Sequence, residues 1–466
     1  MIQLFVDRER ELRFLEDHYA SGKAELIILY GRRRVGKTEL CLQFSSEKPR
    51  VYFLADQRPE PQLVQELKTE MGILIEDESF EKLALRDWVE LFGEFRKWNK
   101  VRRPVVIIDE FPALIENNRA VPSMFQKIWD ENIVDSDIML ILLGSSIAMM
   151  ETEVLAYRSP LYGRRTGQWR VEPLGLHNLR PFFPSYNAEA LVNVYGCLGG
   201  VPAYLRKFDT KLSFWENVEG RVLSKGEFLY EEADFLLREE LREPRNYSAI
   251  LQAIAQGASS YGEILSKTGM DKSVVSRYTS ILEDLGLTQR IYPIGSKPKP
   301  RKGQYAVSDN YIGFWFRYVF PNRSTLESGE TATVVNSIHE DYTSYMGRVF
   351  EQSLQELIRE KQNAGGLPFT FTEVGRWWLR DTEIDLVAID ESSKTATFLE
   401  VKWGKIGKLD AHRVLSDLEE KSRYFKWNRA KDIFGIVAKK IERKQELREE
   451  GFIVLDLDDF EQLSKR

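Results

Sequence analysis

Cysteine and histidine are scarce in this chain of 466 residues, with two of the first and four of the second. Cys41 and Cys197 are far apart in sequence, and His18, His177, His339 and His412 are scattered. No disulfide framework or zinc-ligand spacing results, which fits a reduced cytoplasmic setting. Long hydrophobic runs are also missing. The most apolar stretch, Ile138 to Met150, is interrupted by Gly144, Ser145 and Ser146. It falls short of the roughly 20 residues that a bilayer-spanning helix needs, so no membrane partner is expected. The first residues turn charged at Asp7 and Arg8 and carry no signal-peptide pattern. A strong charge of one sign is lacking too: 66 Lys and Arg against 72 Asp and Glu leave a net charge of −6. The chain is therefore no generic polyanion binder, and any nucleic-acid contact must be a local basic patch. There is no internal repeat of fixed period and no low-complexity tract.

Apolar residues make up 43% and charged residues 30%, an ordinary globular composition. At roughly 100–200 residues per domain, about three domains are expected.

Leu26-Ile27-Ile28-Leu29-Tyr30 is a short continuous apolar run, as a buried parallel strand would be. Gly31-Arg32-Arg33-Arg34-Val35-Gly36-Lys37-Thr38 follows, matching G-x-x-x-x-G-K-[ST], and Glu39 to Phe44 opens a helix. The glycines let the backbone bend so that N–H groups of residues 31–39 point inward at phosphate oxygens, and the helix dipole adds positive potential. Lys37 would reach the β- and γ-phosphates of ATP, and Thr38 would offer its hydroxyl to Mg²⁺. Val105-Val106-Ile107-Ile108-Asp109-Glu110 reads as a second buried strand ending in two acids. Asp109 would support the Mg²⁺ shell, and Glu110 would orient or deprotonate the attacking water. A third strand ends at Ser145 and Ser146, where Ser145 would sense the γ-phosphate. Arg164, on the loop Ser159-Pro160-Leu161-Tyr162-Gly163-Arg164-Arg165, is a candidate to neutralise transition-state charge, within one chain or from a neighbouring copy in a homo-oligomer.

Taken in order, these segments resemble the archaeal ATPase family of P-loop proteins, relatives of the AAA+ and STAND ATPases. Phe5-Val6-Asp7-Arg8-Glu9-Arg10-Glu11-Leu12 and Gly199-Gly200-Val201-Pro202-Ala203-Tyr204-Leu205 add to the likeness, which covers roughly residues 1–235. The resemblance implies that Arg8 and Glu9 lie near the adenine end of the site. It also implies that the Gly-Gly-Val-Pro segment begins a helical lid.

Residues 245–306 change character. Helical periodicity over Asn246–Gln256, Ser260–Lys267 and Ser273–Leu285, with Ser273 as a cap, precedes the strand 287–292. A basic stretch with Lys297, Lys299, Arg301 and Lys302 leads to Tyr305-Ala306-Val307. The order resembles a winged helix-turn-helix. It would place Lys272, Ser273, Ser276 and Arg277 in a DNA groove, or else serve as a protein-contact module.

Near the C-terminus, an amphipathic helix (Met346–Arg359, containing Glu351) precedes three strand-like segments, Phe369–Val374, Ile384–Ile389 and Thr395–Val401. A helix at Leu409–Phe425 and a strand at Ile433–Ala438 follow. This order resembles the PD-(D/E)xK restriction-endonuclease-like fold. Glu400 and Lys402 are two apart on a strand and point the same way, beside Asp385 of the neighbouring strand. Asp385 and Glu400 would bind Mg²⁺, with Lys402 activating water or steadying phosphate. The plain alternative is an ordinary salt pair in a domain retained for binding.

The expected fold is therefore α/β: a P-loop ATPase with a parallel sheet and helical lid over 1–240, a winged helix over 241–310, and a nuclease-like α/β domain over 330–466. The expected activity is ATP hydrolysis coupled to action on DNA, with Mg²⁺-dependent cleavage at the second site. The rival reading is a nucleotide-controlled switch or assembly protein that never cleaves.

Overall fold

The computed structural model describes residues 5–241, 243–295, 303–362 and 366–464. The chain forms two compact units, Met1–Pro173 and Leu174–Arg466. The division falls well before residue 240 because the helices after Pro173 are tied to the second unit. Tyr204 packs on Tyr311 at 4.6 Å, the Trp315 indole donates to the Tyr230 carbonyl at 2.8 Å, and the Tyr345 hydroxyl donates to the Gly196 carbonyl at 2.6 Å.

In the first unit, five strands are β1 (Glu25–Tyr30), β2 (Arg50–Leu54), β3 (Val105–Asp109), β4 (Met139–Gly144) and β5 (Gly167–Arg170). They lie in the order β2-β3-β4-β1-β5, all parallel. Continuous apolar runs suit such a sheet, because helices cover both faces. Alternate residues of β1 divide between two cores: Leu26 and Ile28 face one, Ile27 and Leu29 the other. The second core also holds Leu15 of α1 (Glu9–Ala20) and Leu40, Cys41 and Phe44 of α2 (Lys37–Phe44). Each such side chain, fully buried, contributes about 1.5–3 kcal/mol. That anchors α2 directly behind the loop joining it to β1.

The second unit carries the hairpin β6 (Thr288–Ile291) and β7 (Gln304–Val307) after helices Pro244–Ala255, Tyr261–Thr268 and Lys272–Asp284. Ser273 does not cap the last helix. That helix starts one residue earlier, with Asp271 before it and no side-chain cap. Ser260 caps the preceding one instead, in a reciprocal box with Glu263. Lys297, Lys299, Arg301 and Lys302 lie outside the described residues.

A mixed sheet follows, from β8 (Glu373–Leu379), β9 (Thr382–Asp390), β10 (Thr395–Ile406), β11 (Lys431–Ile441) and β12 (Ile453–Leu455). Its order is β12-β11-β10-β9-β8, with β8-β9-β10 antiparallel and β10-β11-β12 parallel. The strand expected at Phe369–Val374 starts only at Glu373. The preceding residues are irregular, and Phe369 and Phe371 pack on each other as a cluster. The expected helix Met346–Arg359 is the second half of a 31-residue helix, Thr331–Lys361. Among the described residues, no helix is long and apolar enough to cross a membrane.

Candidate functional site

The loop after β1 bends at two glycines for different reasons. Gly31 has φ +148°, and a Cβ there would come within 2.3 Å of the Val171 carbonyl oxygen, which follows β5. Gly36 has φ +99° with open space around it, so its backbone alone demands glycine. Arg34 between them is also left-handed, at φ +68°. Lys37 is buried, and its ammonium donates to the carbonyls of Gly31 at 2.8 Å and Arg32 at 3.0 Å. The cation is thus held inside the bend. Val35 is fully buried, Arg33 exposed, Arg32 and Arg34 half-buried, and Glu39 lies in the first turn of α2.

The acid pair comes from β3, two strands away. Because β4 lies between β1 and β3, the ends of all three strands converge on one sheet edge. The Thr38 hydroxyl donates to Asp109 Oδ2 at 2.6 Å, and the Tyr52 hydroxyl donates to the same oxygen at 3.0 Å. Asp109 Oδ1 accepts from the Glu110 amide at 2.9 Å. Glu110 stands in the left-handed region at φ +54°, a strained conformation for a non-glycine residue that turns its side chain off the strand. Its Oε2 accepts the Ser145 hydroxyl at 2.6 Å. Burial and the neighbouring Asp109 push the Tyr52 phenol far up, so it remains a donor.

Thr38, Asp109, Glu110 and Ser145 therefore meet, beside Lys37 on the loop. Arg164 does not join them. Its guanidinium grips Asp130 at 3.0 and 3.2 Å and also donates to the Pro160 carbonyl. Arg8 is buried against the loop itself, donating to the Val35 carbonyl and to the Glu172 carbonyl, both at 2.9 Å, and to Glu11 at 3.0 Å. Tyr52 escaped the sequence reading because an alternating Tyr on a strand signals only a pleated surface.

The second cluster lies in the C-terminal sheet. Asp385 of β9 accepts the Val401 amide of β10 at 2.8 Å. Lys402 donates to Glu400 Oε1 at 2.8 Å and stands 3.8 Å from Asp385; Lys421 reaches Glu400 at 3.3 Å. Burial and then Glu400 push the Asp385 carboxyl up to about 6. Burial and then Asp385 push Glu351 up to about 8. Glu400 Oε2 is buried and has no hydrogen-bond partner. A buried carboxylate oxygen without a donor is costly and suits a cation. Among the described residues, no group of three or more His, Cys, Asp or Glu is arranged to hold a metal ion. Two carboxylates are, however, the usual protein share of a Mg²⁺ shell completed by phosphate and water.

A five-stranded parallel sheet with a phosphate-type loop before α2 and an acid pair two strands away defines the first unit as a P-loop ATPase fold. Residues 5–208 match the ATPase domain found predominantly in Archaea, and residues 315–414 match a family described as archaea bacterial proteins of unknown function. An uncharacterized protein of Methanocaldococcus jannaschii is 38% identical over 457 residues, covering 98% of this chain and all of the relative. The chain belongs to the archaeal ATPase family. An uncharacterized ATP-binding protein of the same organism is 57% identical over 47 residues, 10% of this chain and 80% of that one. The Walker-type ATPase of Pyrococcus abyssi is similar at 21% identity and a TM-score of 0.48, over 67% of this chain and 96% of the other.

Proposed function

We propose that the chain hydrolyses ATP with Mg²⁺ at the loop Gly31–Thr38 and acts on DNA through its second unit. The observation that carries the ATPase reading is the Thr38–Asp109 contact of 2.6 Å. It brings together a hydroxyl and a carboxylate that would serve one Mg²⁺ shell, the group that supplies charge neutralisation there. Mg²⁺, when bound, neutralises charge on the β- and γ-phosphates. Lys37 then exchanges its loop carbonyls for phosphate oxygens. Glu110, oriented by Ser145, accepts the proton of the attacking water. Arg164 serves as the arginine finger once it leaves Asp130. The relative described as ATP-binding supports this reading.

In the second unit we read residues 241–310 as a winged helix that binds DNA and 330–466 as a nuclease-like domain. Asp385 and Glu400 hold Mg²⁺, supported by the unpartnered Glu400 Oε2, and Lys402 steadies the scissile phosphate. Paired substitutions test the whole. Lys37→Ala abolishes ATP turnover, and Asp385→Ala abolishes Mg²⁺- or Mn²⁺-dependent nicking of plasmid DNA. A wild-type protein that hydrolyses ATP yet never nicks DNA or RNA with either metal would favour the rival reading, a nucleotide-controlled switch.

A further inference from the structure

The second unit contains a cleft of about 450 Å³ formed by the β6–β7 hairpin, the middle of the helix Thr331–Lys361 and strand β8. Four arginines line it: Arg290, Arg348, Arg359 and Arg376. Its carboxylates are largely committed. Glu356 accepts from Tyr195 and Gln352 at 2.8 and 3.2 Å, Asp309 caps the helix Asn310–Phe314, and Glu351 pairs with Arg376 at 3.5 Å. Glu373 is exposed at the margin.

Arg348 is the informative member. Asp341, on the same helix, is taken by Arg317 through two hydrogen bonds of 2.6 and 2.8 Å, and by the Tyr318 hydroxyl. Arg348 itself makes no hydrogen bond or ion pair among the described residues, and its side chain is exposed to the cleft. Burial and then the neighbouring Arg317 disfavour its charge, while Asp341 and Glu351 favour it. A guanidinium with no hydrogen-bonded partner in a concave site suits an anion, phosphate above all. Arg290, which also lines the cleft, lies over the ring of Tyr305 at 4.9 Å and 5.9 Å from that of Tyr292. A guanidinium held in an aromatic cluster of this kind can also take a base.

We propose that this cleft holds an unpaired nucleic-acid strand, its phosphates on Arg348 and Arg359 and a base against Arg290. The volume falls in the roughly 300–1,000 Å³ range of small-ligand sites, which suits a nucleotide of a single strand. The inference rests on the cleavage reading, because Glu351 lines the cleft and also faces Asp385. The strand in the cleft is thereby led to the Asp385–Glu400–Lys402 cluster.

The test is fluorescence anisotropy of the full chain with a labelled oligothymidylate of roughly 12 nucleotides, Ca²⁺ replacing Mg²⁺. The expected result is salt-dependent binding that Arg348→Glu weakens at least ~10-fold, with a salt slope lower by about one. Arg348→Lys restores most of the affinity. Arg290→Ala weakens binding without changing the salt slope. Circular dichroism and ATP turnover, unchanged in all three variants, show that they fold. Wild-type affinity in both Arg348→Glu and Arg290→Ala overturns the proposal, as does equal, variant-insensitive binding of a blunt duplex. Displacement by free thymidine monophosphate as effective per nucleotide as the strand also overturns it, assigning the cleft to a mononucleotide. Asp385-dependent nicking, measured in parallel, separates the two failures. If it persists while the binding result fails, the cleavage reading stands and the cleft does not.

Discussion

Thr38 and Asp109 are 71 positions apart, yet the hydroxyl of one lies 2.6 Å from the carboxylate of the other. The strand order explains the meeting. With β4 placed between β1 and β3, Tyr30 stands level with Gly144 and Ile108 with Leu142, so both strand ends open on one edge. The same Asp109 oxygen accepts Tyr52, which adds a second donor to the carboxylate. Tyr52→Phe removes one donor and leaves the ring packed. The half-saturating Mg²⁺ concentration for ATP turnover is expected to rise about 10-fold, with the ATP KM at saturating Mg²⁺ unchanged. Titration of Mg²⁺ in a steady-state assay checks this.

Arg8 ties the loop to the segment just after β5. It bonds the Val35 and Glu172 carbonyls from a buried position, so Arg8→Ala leaves two acceptors without donors. The expected cost is about 2–4 kcal/mol for the first unit, read as a lower thermal midpoint. ATP KM should rise more than kcat falls, because the loop loses its tether while its chemistry stays.

Arg164 is held by Asp130 through two hydrogen bonds. Acting as an arginine finger, as proposed, would require that pair to open. Asp130→Asn is expected to raise ATP turnover several-fold, and Arg164→Ala to lower it by ~10³-fold, the lower end of an arginine finger's effect. Equal rates in wild type and both variants would assign Arg164 to the loop's structure alone.

Glu351 is pushed up from an ordinary value near 4.5 to about 8, chiefly by burial and then by Asp385. An acid whose folded value is raised keeps its proton in the folded state while the unfolded chain loses it. Stability therefore falls as pH rises from about 4.5 to about 8. The melting transition of the second unit is expected to drop across that interval. Glu351→Gln should flatten the profile, and calorimetry from pH 5 to 8 checks it.

Much of this was legible in the sequence because short-range patterns carried it. The apolar runs of β1, β3 and β4, the Gly31–Thr38 loop and the Asp109-Glu110 end all rest on neighbours within a few residues. What escaped depends on distant partners. Arg8 meets Glu172 across 164 positions, and Arg164 meets Asp130 across 34. Composition at either end signals neither. Tyr52 became informative only when β2 was seen beside β3. The strand expected at Phe369–Val374 slid to Glu373–Leu379 because its aromatic run serves packing, while the pairing with β9 selects Glu373 to Leu379.

The most direct test of the account is ATP turnover by Asp109→Asn, which keeps the shape of the side chain and removes its charge. The account predicts a loss of at least ~100-fold in Mg²⁺-dependent turnover, with nucleotide binding measured in EDTA unchanged. Wild-type turnover in Asp109→Asn would contradict it.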